Sequence, residues 1–132
     1  MSSATDMSAR GTAVVVAHGL VGWALCAATM GVGMKLTTPQ NALIVHALAA
    51  PVFFACISLV YFRRSGAWPP LRTAIAFLGV VAVMDVFVVA LLIERSFTMF
   101  GSVLGTWLPF LLIFVSTWWT GVAVRSLTHR AS

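Results

Sequence analysis

A chain of 132 residues that is 61% apolar and only 8% charged departs far from a soluble domain, of which about a quarter is normally charged. Its formal charge of +5 comes without a basic stripe interleaved with aromatic rings, which argues against a nucleic-acid partner. So little sequence lies outside apolar stretches that no soluble domain with its own core fits, and the composition predicts an all-α integral membrane protein.

A helix needs roughly 20 apolar residues to cross a hydrocarbon layer of about 30 Å, and four stretches meet that length: 12–34, 42–62, 73–93 and 97–124. Strands of a transmembrane barrel alternate over about ten residues, whereas these stretches are apolar on every face. The first is longer than the apolar region of a signal peptide, about 7 to 15 residues, so it reads as a retained span. Before Cys26, in "WALC", Leu25 stands where a lipoprotein signal needs a small residue, and lipidation is not expected. At about 100° per residue, His18, Gly22, Cys26, Thr29 and Gly33 share a narrow arc. Small residues let membrane helices approach closely, so this arc reads first as a packing seam and second as the wall of a narrow polar path.

In "KLTTPQN" Thr38 is placed to cap the second helix, with Pro39 in its first turn, where a missing donor breaks no bond. His46 falls roughly 7 Å below the outer end of this helix, and Pro51 interrupts its hydrogen bonding. The connection "RRSGAWPPLR" turns the chain with Gly66, Pro69 and Pro70. The third stretch carries the only charge within a span, Asp85, roughly 12 Å below the outer end. Helical geometry gives it Leu78, Val81, Ala82, Val88, Val89 and Leu92 as neighbours on its own face, so its partner must come from another helix. The fourth stretch repeats the small-residue pattern with Gly101, Gly105, Pro109, Ser116 and Thr120, has Thr106 and Trp107 a few residues inside its outer end, and is expected to kink at Pro109. Connections this short predict consecutive helices as antiparallel neighbours in an up-down-up-down four-helix bundle forming one domain, with the serine-bearing ends, 1–9 and 126–132, as mobile tails.

Orientation follows from the basic residues, which stay on the cytoplasmic side. Four spans put Arg10, Arg63, Arg64, Arg72, Arg125 and Arg130 on one side and only Lys35 and Arg95 on the other. Both termini are therefore expected in the cytoplasm, in a bacterial inner membrane. Tyr61, Phe62, Trp68, Trp118 and Trp119 then form an inner aromatic belt, and Phe97 and Phe100 an outer one.

An ionised carboxylate inside a span is disfavoured by at least about 2.5 kcal/mol and is paired or protonated, facing the bundle. Asp85 with His46, Lys35, Thr106 and Trp107 makes a candidate outward-opening site for a proton, cation or small solute; the bland reading is a hydrogen bond that fixes helix register. Other chemistry lacks its residues. His18 and His46 lie at opposite depths, unsuited to one haem, no three or four ligands cluster for zinc, and Cys26 and Cys56 differ in depth by about 9 Å, so a disulfide is not expected. No cofactor is expected and no catalytic constellation is visible. The sequence supports first a small proton-linked or cation-linked transporter acting as a homo-oligomer, next an accessory or assembly subunit of a larger membrane complex, and last a membrane enzyme.

Overall fold

The computed structural model describes residues 2–64, 68–93, 95, 101 and 106–131, with side chains for all of these but 2–8, 93, 128, 129 and 131. The regular elements among them are helical: α1 spans Ser2–Leu36, α2 Pro39–Arg64, α3 Pro70–Met84 and α4 Leu108–Ala131, and α3 continues directly into a π-helical segment, Asp85–Ile93. Four stretches are long and apolar enough to cross a membrane: Ala9–Leu36, Pro39–Arg64, Pro70–Leu92 and Leu108–Leu127.

The helix ends follow from local chemistry. Thr38 caps α2, with the Asn41 backbone N–H donating to its Oγ1 at 3.2 Å, while Asn41 Nδ2 donates to Thr37 Oγ1 at 3.1 Å. Pro69 precedes α3 in extended conformation, with φ −61° and ψ 155°, and Pro70 occupies the first turn, where its fixed φ suits a helix start. The two ends of the chain are helical rather than irregular, since α1 begins at Ser2 and α4 runs to Ala131; a helix already nucleated in the membrane extends readily through Ala, Met and Arg. The apolar stretch of the fourth span begins at residue 97, but the described helix starts at Leu108, and 97–100 and 102–105 lie outside the described residues. Pro109 is the second residue of α4 and is preceded by π-helical Thr106 and Trp107, while Pro51 lies inside α2.

α1 packs against α2 and α3, and α4 packs against the same two. α2 and α3, although consecutive, therefore face each other across the centre, where Phe77 meets the rings of Phe54 and Tyr61 at centroid distances of 6.0 and 6.1 Å. The expectation that consecutive helices are direct neighbours fails for this pair. Residues 65–69 connect them, and an extended chain reaches about 3.5 Å per residue, enough to cross the diagonal of the bundle. Tyr61 and Phe62, expected in the aromatic belt, are instead buried in the core with Phe54, Phe77 and Ile113, while Trp118 and Trp119 are exposed.

Small residues set the closest approaches. A methyl group at Gly22 would stand 2.5 Å from the Phe54 ring, and one at Gly121 would stand 2.7 Å from both Phe62 and Pro70. Gly33 sits against Ala42, and Cys26 is buried, so the seam expected on α1 is a packing surface at these three positions. Gly101 does not pack in this way: it is exposed, and a methyl group there would have nothing within 4 Å among the described residues. Gly105 lies outside the described residues.

Candidate functional site

Asp85 stands where the helix changes its ladder. Its own N–H is shared between the carbonyls of Val81 and Ala82, and beyond it the bonding widens to the i→i+5 pattern of a π-helix, a rare form that is frequent at functional sites. The change of period moves the inward face. Ala90, five residues on, is fully buried, whereas Leu92, which α-helical geometry would place on the face of Asp85, is 71% exposed.

The indole of Trp23, on α1, donates from Nε1 to Asp85 Oδ1 at 2.9 Å. The donor comes from another helix, as an intramembrane acid requires, and it is not one of those named from the sequence. An indole N–H is a donor only; it bonds a carboxylate oxygen more strongly than the carbonyl oxygen of a neutral carboxyl, but it can bond either. The contact therefore persists in both protonation states. Cys26, three residues after Trp23, is buried.

The other residues singled out in the sequence are distributed differently. His46 lies eight residues before Phe54, whose ring fills the space beside Gly22, and so stands roughly 12 Å along the helix from the level of Trp23. Its buried Nδ1 has no hydrogen-bond partner among the described residues. Lys35 is exposed at the end of α1, twelve residues and roughly 18 Å beyond Trp23. Thr106 is buried just ahead of α4, and Trp107 is exposed, with its ring edge-on to Phe110 at 6.1 Å. The structure thus joins Asp85 to Trp23 and holds His46 and Lys35 apart from them.

Trp23 had a signal in the sequence. Membrane tryptophans favour the interfaces, yet this one is at the midpoint of the stretch 12–34, and a buried indole N–H needs a partner. A mid-span donor and a mid-span acceptor are natural complements.

Deeper toward the other end, His18 Nδ1 donates to the Val14 carbonyl at 2.7 Å, and its ring meets that of Tyr61 at 5.5 Å. Both cysteines are free, Cys26 buried and Cys56 exposed. No group of three or more His, Cys, Asp or Glu side chains arranged to hold a metal ion occurs among the described residues. Comparison with protein-family models, with curated proteins and with solved structures returns no match.

Proposed function

We propose that the chain is a small polytopic inner-membrane protein that moves a proton or a cation through a site centred on Asp85, working as a homo-oligomer with both termini in the cytoplasm. The observation that carries this reading is the hydrogen bond from Trp23 to Asp85: an acid is kept inside a span, held by a neighbour that tolerates either protonation state, at the start of a π-helical segment. A purely structural pin between two membrane helices is served by two neutral groups, without the insertion penalty of an ionisable one.

An up-down-up-down path is supported by the order of contacts. Gly33 meets Ala42 and Gly22 meets Phe54, so α1 and α2 run past each other, while Gly19 with Val80 and Trp23 with Asp85 pair α1 and the third span in the same sense. The excess of arginines at the end bearing both termini supports the cytoplasmic assignment.

Reconstituted into proteoliposomes, the Asp85→Asn variant is expected to lose pH-dependent flux of protons or monovalent cations while keeping its expression and oligomeric state. Flux equal to that of the parent would make Asp85 a register pin, and stoichiometric co-purification with a larger complex would favour the accessory-subunit reading.

A further inference from the structure

At the end of the bundle opposite Lys35, Trp68 ties three helices together and lies beside the fourth. Its backbone N–H donates to Tyr61 Oη on α2 at 3.3 Å, its carbonyl accepts from Arg125 Nη2 on α4 at 3.0 Å, its ring lies under the Arg72 guanidinium of α3 at 4.1 Å, and its indole nitrogen would stand 3.5 Å from a methyl at Gly11 of α1. Two guanidiniums are thereby fixed against one residue. Stacking uses the flat face of the Arg72 guanidinium, and its five N–H donors lie in the plane of the group, at the edge of the stack.

The chain does not hold enough negative charge to neutralise this end. Six arginines, at 10, 63, 64, 72, 125 and 130, belong to it, and of the three acids Asp85 is mid-span and Glu94 follows the third span. Only Asp6 remains, so six positive charges less one negative leave an excess of five however Asp6 pairs. Each anchored arginine also stands one helical turn from an exposed apolar side chain on the membrane side, Ile75 for Arg72 and Val122 for Arg125. Cationic donors next to exposed hydrocarbon fit an amphiphile with an anionic head.

We propose that Arg72 and Arg125, held by Trp68, form a binding site for the phosphate headgroup of an anionic phospholipid, with its acyl chains along Ile75 and Val122. Basic clusters at membrane-helix ends attract such lipids generally; here the two guanidiniums are pre-positioned, which distinguishes the site from diffuse charge.

The test is native mass spectrometry of the full chain released from micelles containing equal phosphatidylglycerol and phosphatidylcholine. The parent is expected to retain phosphatidylglycerol preferentially. The Arg72→Gln/Arg125→Gln variant should lose that preference about tenfold, while Arg63→Gln/Arg64→Gln, which removes the same charge from the same end, should lose less than about threefold. Arg72→Lys, which keeps the charge, should show an intermediate loss, and circular dichroism of each variant verifies the helical fold. Equal losses in the two double variants would overturn the site, as would displacement of the lipid by millimolar inorganic phosphate, which would make the ligand a soluble anion.

Discussion

The most informative single residue is Trp23. Replacing it with Phe keeps the ring and removes the donor, leaving a half-buried carboxyl oxygen without its 2.9 Å partner. Loss of such a bond destabilises by about 1 to 3 kcal/mol, measurable as an earlier midpoint in denaturing-detergent titration. Because the contact is direct, Trp23→Phe in an Asp85→Leu background is expected to cost much less than in the parent; additive losses would show that the two positions act separately. The two halves of this pair are unequally legible in the residues alone, Trp23 only through its mid-span place. Asp85 is conspicuous as the one charge in a span, but helical periodicity ranks residues around one axis and carries no information about which neighbour supplies the donor. His46 and Lys35 are drawn in by depth alone, and depth measured from estimated span ends drifts by several residues.

At the scale of helices, Ser58 on α2 and Thr117 on α4 are fully buried, and neither hydroxyl has a hydrogen-bond partner among the described residues. A buried polar group without a partner is unfavourable, so Ser58→Ala is expected to raise stability by about 1 kcal/mol in the same detergent titration. A fall instead would mean that the hydroxyl is engaged when the protein is in its bilayer. The existence of the four helices was legible because length and apolarity are local properties. Their neighbours were not: Gly22 and Gly121 receive rings from Phe54 and Phe62, and nothing local to a glycine specifies which ring arrives. The π-helical segment was equally hidden, since Val86, Val88 and Val89 are as compatible with an ordinary transmembrane helix.

For the whole molecule, the arrangement in which α1 and α4 each bridge α2 and α3 joins residues far apart in sequence, and Trp68 joins α2, α3 and α4 at one end. The orientation proposed for this bundle has a direct check. Reporter fusions at both termini are expected to be active only as cytoplasmic reporters, and a fusion after Lys35 only as a periplasmic one; the opposite pattern would invert the assignment of every polar group to inner or outer leaflet. The exposed side chains along all four spans, from Val21 and Val52 to Ile75 and Leu111, match a bilayer as surrounding solvent, in which outward-facing apolar groups are the rule.

The bond between Trp23 and Asp85 joins positions 62 residues apart, and a chain made from its N-terminus delivers them in a fixed order. The indole is already resident in the lipid when the acid leaves the ribosome. Asp85 thus enters beside a waiting donor, so the first helix acts as a chaperone for the third, and a permuted gene that translated the third span first would have to place a bare carboxyl in hydrocarbon.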